Sequence, residues 1–252
     1  MSGHSHWATI RRKKGAADAK RGAIFTRLTR EILMAAREGG GDPGMNVRLQ
    51  LAIERARAQN MPKDNIERAI KRGTGESKDG NILEQVFYEG YASHGVALMI
   101  ECVTDNRNRA VSEIRHTLSR GGGALGEAGS VAWQFTQAAY FLFSAEGLDP
   151  DKMFELAVEA GANDVQIDEE SIEIIAPVEL FKSIGDRLRA ENIHPEEAGL
   201  RMIPNQEIEL PVDETIQVMR TIEGLEELDD VQNVFHNLRM SEEAIAALEN
   251  SE

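Results

Sequence analysis

Apolar residues in the first third of the chain recur at three- and four-residue intervals. Ile24, Leu28, Ile32 and Ala35 predict the core stripe of a helix from Asp18, a good N-cap type, to about Glu38. The glycine-rich run "GGGDPG" (39–44) stops it. A second helix is expected over roughly 45–59, with Val47, Leu51 and Ile53 inward. Pro62 suits the first turn of a third, which buries Ile66, Ala69 and Ile70 and ends at Gly73. After the hydrophilic linker "GTGESKDGN" the pattern changes. "EQVFYEGY" and "VALMIECV" read as strands, and a helix over 106–119 places Val111, Ile114 and Leu118 on one face. "VAWQF" and "AAYFLFS" read as strands. A helix over 149–160, strands at "DVQI" and "SIEIIA", a helix over 177–190 and a strand within 199–210 follow. The segment "PVDETIQVMRTIEGLEEL" predicts a last helix, and "VQNVFHNL" a last strand.

From 138 to 210 this order is β-α-β-β-α-β, the ferredoxin-like arrangement. The tail 211–240 supplies an α-β pair with no domain of its own, and the ββαβ segment 81–136 lacks such a pair. The expected class is therefore α+β: a helical N-terminal domain plus two ferredoxin-like α/β domains, one inserted into the other. The expected limits are 1–80 for a basic arm and helical bundle, 81–136 plus 211–240 for a discontinuous α/β domain, and 137–210 for the insertion.

Charge sharpens this division. The 252-residue chain carries a formal net charge of −15. Residues 1–80 hold 17 Lys/Arg against 9 Asp/Glu, while 81–252 hold 11 against 34. A polyanion is drawn to one end and repelled by the rest. The single cysteine, Cys102, excludes an intramolecular disulfide and any site with two thiolate ligands. No apolar run reaches the length of a membrane helix, and no apolar segment follows the basic start as in a secretory signal. An arginine-rich start also imitates an organelle transit peptide. The favoured expectation is a cytoplasmic protein without membrane contact.

The candidate chemistry gathers at the N-terminus. Arg11, Arg12, Lys13 and Lys14 are consecutive cations, followed by Lys20 and Arg21. Each cation that neutralises a phosphate releases condensed counterion, so such a cluster gains affinity without reading sequence. Trp7 offers a flat face for stacking on an unpaired base. At 100° per residue Lys20, Arg27, Arg30 and Arg37 fall opposite the core stripe of the first helix and would extend the track. A solvated basic tail with no partner is the alternative. In "TDNRNR" (104–109), capping of the following helix and anion binding by Arg107 and Arg109 both stand open. The run Gly121–Gly123 matches neither the P-loop nor the dinucleotide pattern. "EGLEELDD" (223–230) reads as a solvated helix end. No nucleophile elbow, HExxH or Cys–His motif is present, so no enzyme, catalytic residue, metal or cofactor is implied.

Three long segments carry a family resemblance: "GHSHWATIRRKKGAADAKRGAIFTRLTREI", "GGGDPGMNVRLQLAIERARAQNMPKDNIERAIKRGTG" and "VTDNRNRAVSEIRHTLSRGGGALGEAGSVAWQF", with the general layout around them. The chain resembles the YebC family, which includes mitochondrial translational activators of cytochrome oxidase. The resemblance implies three domains and a non-enzymatic regulator of gene expression, either a DNA-binding transcriptional regulator or a ribosome- and RNA-associated factor assisting synthesis through proline-rich stretches. DNA, ribosomal RNA or both are then the nucleic-acid partner. The family's basic motif falls on Trp7, Arg11, Lys13, Lys14, Lys20 and Arg21. Two positions depart from it. His6 stands where lysine is usual, and "ASHG" after Tyr91 replaces the usual Gly-Pro-Gly-Gly. A protein-interaction adaptor working through the acidic α/β domains is the reading from another class.

Overall fold

A computed structural model describes residues 21–77 and 82–250. The first helix, α1 (Arg21–Gly39), packs with α2 (Val47–Ala58) and α3 (Lys63–Gly73). Leu28, Ile32, Ala35 and Ala36 meet Leu49, Ala52, Ile53, Ala56, Ile66 and Ala69 in one core. Asn46 joins two of these helices. Its Oδ1 accepts from the Leu49 N–H at 3.0 Å, capping α2, while its Nδ2 donates to the Ala35 and Gly40 carbonyls at 2.8 and 2.9 Å. Gly73 ends α3 as its last helical residue. What requires glycine there is close packing, since a Cβ would lie 2.4 Å from the Leu33 carbonyl oxygen.

The remaining strands are β1 (Glu84–Tyr91), β2 (Ala97–Thr104), β3 (Ala124–Leu125), β4 (Phe135–Ser144), β5 (Asp164–Ile167), β6 (Ser171–Ala176), β7 (Glu197–Pro204), β8 (Ile208–Glu209), β9 (Val231–His236) and β10 (Leu238–Arg239). The helices among them are α4 (Arg107–Arg120), α5 (Pro150–Glu159), α6 (Phe181–Ala190), α7 (Val212–Glu226) and α8 (Glu242–Asn250). The protein is mixed α+β, with an N-terminal helical region followed by antiparallel sheets.

Two compact units divide the described residues: 21–77 with 137–201, and 82–136 with 202–250. In the first, the sheet order β5-β6-β4-β7 is that of a ferredoxin-like fold. Phe141, Phe143, Ile172 and Ile174 face Met153, Leu156, Ile184 and Leu188 of α5 and α6. Leu51 of α2 belongs to the same apolar cluster. In the second unit the order is β3-β1-β2-β9, so the last long strand of the chain pairs antiparallel with β2. Leu98, Ile100 and Cys102 on one face of β2 pack with Ile114 and Leu118 of α4 and with Val218, Met219 and Ile222 of α7.

Three expectations are corrected. "VAWQF" is not a strand: Ala132–Gln134 forms a 3-10 turn, and strand geometry begins at Phe135. The cause lies in β1, where the Glu89 carboxylate accepts from the N–H groups of Gly129, Val131 and Ala132 at 2.7, 2.6 and 2.8 Å. Three donors converging on one side chain cannot also serve a ladder. The "EGLEELDD" end is not wholly solvated, because Asp230 is 1% exposed. A short helix, α8, follows β10, where the sequence pattern had suggested no element.

Burial works against ionisation of Glu89, but the three backbone donors outweigh it and hold its carboxyl below the ordinary 4.5. Its folded value is depressed. The associated stability is therefore complete above pH 4.5 and is lost as pH falls through the lowered folded value. The expected result is that the 127–134 segment stays protected from proteolysis down to pH 4.5 and loosens below it. Glu89→Gln, which offers one acceptor oxygen in place of two, removes that acid step and costs about 1–2 kcal/mol at neutral pH in urea unfolding. An acid profile identical in the two proteins would contradict this.

Candidate nucleic-acid interface

The nucleic-acid-binding candidates fall into three groups. Trp7, Arg11, Arg12, Lys13, Lys14 and Lys20 lie outside the described residues. Arg21 opens α1. Arg27 and Arg30 lie on α1, and the structure separates them. Arg27 is partly exposed, whereas Arg30 is only 8% exposed. The expected cationic stripe therefore fails at Arg30. The buried face of α1 is wider than its four-residue spacing suggested, because Leu33 and Met34 are buried too. A helix covered on more than one side has no fully solvated face for a stripe.

Other cations of the helical region are better placed. Arg37 is exposed at the end of α1, Arg57 at the end of α2, and Arg68 and Lys71 on the outer face of α3. Sequence reasoning passed over Arg57 and Arg68. Their signal was present: each is the direct neighbour of a buried alanine, Ala56 or Ala69, and so points off the apolar face. Several cations of the region serve the fold. Arg48 pairs with Glu38, Arg55 with Glu31 at 2.7 Å, and Lys63 with Glu67 at 3.4 Å.

The "TDNRNR" alternatives resolve toward structure. Asn106 caps α4, its Oδ1 accepting from the Arg109 N–H at 3.0 Å. The Arg109 guanidinium is engaged by Asp230 through three contacts of 2.8–3.0 Å, and by Asp105 at 3.0 Å. Hydrogen bonding to Asp230 raises the Arg109 pKa further. Arg107 pairs with Glu84. An anion here would have to displace carboxylates. The glycine run is likewise structural. The N–H groups of Gly121, Gly122 and Gly123 point back to carbonyls at the end of α4, and a Cβ on Gly121 would lie 2.1 Å from Thr221 Oγ1. The "ASHG" turn has acquired its own contacts. His94 adopts a left-handed backbone (φ 60°), and its ring reaches Gln217 Oε1 at 3.1 Å and Glu214 at 3.3 Å, tying the β1–β2 turn to α7.

Among the described residues no group of three or more His, Cys, Asp or Glu side chains is arranged to hold a metal, and no helix is long and apolar enough to cross a membrane.

A family model described as the TACO1/YebC protein N-terminal domain matches residues 5–76, and one described as the TACO1/YebC second and third domain matches 83–238. The chain belongs to the TACO1/YebC family. Relatives bear this out along the whole length. A "probable transcriptional regulatory protein" of Acidithiobacillus ferrooxidans is 51% identical over 249 residues, covering 99% of each chain. One of the same description from Geobacter sulfurreducens is 47% identical over 248 residues, covering 98% of this chain and all of the relative. The crystal structure of a conserved hypothetical protein from Aquifex aeolicus superimposes with a TM-score of 0.78 at 41% identity, over 89% of this chain and 93% of that one. The names of the Acidithiobacillus and Geobacter relatives denote regulators of transcription rather than enzymes, while the name of the Aquifex protein states no function.

Proposed function

We propose that this TACO1/YebC protein is a non-enzymatic, DNA-binding regulator of gene expression that grips its target through the basic leader and the helical region. The observation that carries the reading is the charge partition: residues 1–80 hold 17 cations against 9 acids in a chain whose net charge is −15. Exposed Arg37, Arg57, Arg68 and Lys71 support it from within the described helices. The domain limits 1–80, 81–136 with 211–240, and 137–210 are part of the proposal, supported by separate family models for the N-terminal and the two following domains. Binding of this kind is dominated by phosphate neutralisation, with little base readout.

The acidic remainder favours a second reading. Residues 81–252 hold 34 acids against 11 cations, a charge that bulk duplex repels and that suits limited docking on structured RNA such as the ribosome's. Crosslinking in cells, with sequencing of both DNA and RNA recovered and ribosome co-sedimentation alongside, separates the two. The expected result is crosslinked DNA that salt titrates away steeply. Recovery of ribosomal RNA alone would replace the first reading with the second. Recovery of neither would remove both.

A further inference from the structure

Trp133 is the largest exposed apolar side chain in the described residues, at 71%. Its exposure is built rather than incidental. Val131 is fully buried and Phe135 is 7% exposed, so a continuous strand would turn Trp133 inward with them. The 3-10 turn at Ala132–Gln134 turns it outward instead. That turn is held from every side. Glu89 gathers the N–H of Ala132 in the turn and those of Gly129 and Val131 just before it, and the Tyr91 hydroxyl donates to the Ser130 carbonyl at 3.0 Å. Asn205 Nδ2 donates to the Trp133 carbonyl at 3.0 Å, and the Asn205 N–H to the Gln134 carbonyl at 2.8 Å.

The indole's one polar atom is already used, since Nε1 donates to the Ser130 carbonyl at 3.0 Å. What remains for a partner is the ring face. A ring face takes a nucleobase by stacking or a cation by its quadrupole. Charge decides between them. Residues 81–136 and 202–252 contain no lysine, and hold 6 arginines against 19 Asp/Glu. Glu127, in the same loop, and Glu207, two residues beyond Asn205, are both exposed. This surround repels a phosphate chain and attracts a guanidinium, which can stack flat on the indole while its N–H fork meets carboxylates.

We propose that Trp133 is the anchor of a docking surface for an arginine-rich polypeptide segment. The surface calls for a cationic partner, where the basic leader calls for a polyanion.

The test uses the full chain carrying Trp7→Phe, which leaves Trp133 as its single tryptophan, with a labelled arginine-rich peptide and a single-stranded RNA oligonucleotide as probes. The peptide is expected to change Trp133 emission. Adding Trp133→Ala should weaken peptide binding about tenfold by anisotropy, while Trp133→Phe, which keeps a ring face, weakens it less. Because the side chain is exposed, both variants should melt with the parent. RNA is expected to bind, reported by its own anisotropy, without changing Trp133 emission. Peptide affinity unaltered by Trp133→Ala would overturn the proposal, as would RNA that perturbs Trp133 as strongly as the peptide does. Failure of RNA to bind at all would bear on the leader, where Trp7 has been changed, and on the RNA reading of the function, and not on this surface.

Discussion

Replacing Arg11, Arg12, Lys13 and Lys14 together by alanine lowers affinity for a DNA duplex by about 4 × 10³-fold near 0.1 M salt. The estimate follows from counterion release, in which each neutralised phosphate adds about 0.9 to the slope of log affinity against log salt. Four lost contacts reduce that slope by about 3.6, so the variant and parent curves converge as salt rises toward about 1 M. The slope is the more telling quantity. A change that merely disturbed folding would lower affinity without altering salt dependence in proportion to the charges removed. Trp7→Ala, titrated against a single-stranded oligonucleotide, makes the useful contrast: stacking is worth about 1–3 kcal/mol on an unpaired base and depends little on salt. Titrations at four or five salt concentrations check both. Parallel curves for the parent and the four-alanine variant would refute the leader as the grip.

Arg109→Ala is expected to destabilise the unit formed by 82–136 and 202–250 by about 3 kcal/mol. Asp230 is 1% exposed, and its carboxylate is held by the Arg109 guanidinium and by the Thr104 hydroxyl at 3.0 Å. Removing the arginine takes a charged donor away from an anion in the core, while the neutral Thr104 hydroxyl stays in place. The arginine is 43% exposed, so water softens the loss, and the figure sits at the lower end for broken buried pairs. For a unit of this size the midpoint of thermal unfolding drops by about 12–24 °C. Because Asp230 is buried, the loss should be nearly the same at low and high salt, unlike the loss from an exposed pair. The double variant Arg109→Leu with Asp230→Leu should recover part of the stability, since no charge is then stranded. A loss within 0.5 kcal/mol for Arg109→Ala, measured by urea unfolding, would show that the pair does not join the two chain segments.

Elements whose cause is local were legible in the chain. The spans of α2, α3, β1, β2, α4, β5 and β6 follow from apolar periodicity within a residue or two, and Asn106 could be read as a cap because its acceptor and the N–H it serves are three residues apart. The cationic leader was legible for a similar reason: a run of like charges is a property of neighbouring residues. Where the reading failed, the cause was distant. Glu89 bends a segment some forty residues downstream into a 3-10 turn, and nothing near Trp133 announces it. Arg109 and Asp230 are 121 residues apart, and only pairing of β9 with β2 brings them together. Arg30 fell on the polar side of an ideal wheel, yet burial of Leu33 and Met34 shows α1 covered over a wider arc.

Periodicity, caps and charge runs therefore carried the α+β class, the order of most elements and the cationic character of the N-terminal segment, because those signals act over a few residues. Burial, hydrogen-bond partners and exposure were settled by the fold. They turned Arg107 and Arg109 from anion candidates into carboxylate partners, buried Asp230, and set Trp133 outward on a fixed turn. A side chain's role depends on which groups surround it, and those groups come from parts of the chain that only folding brings within reach.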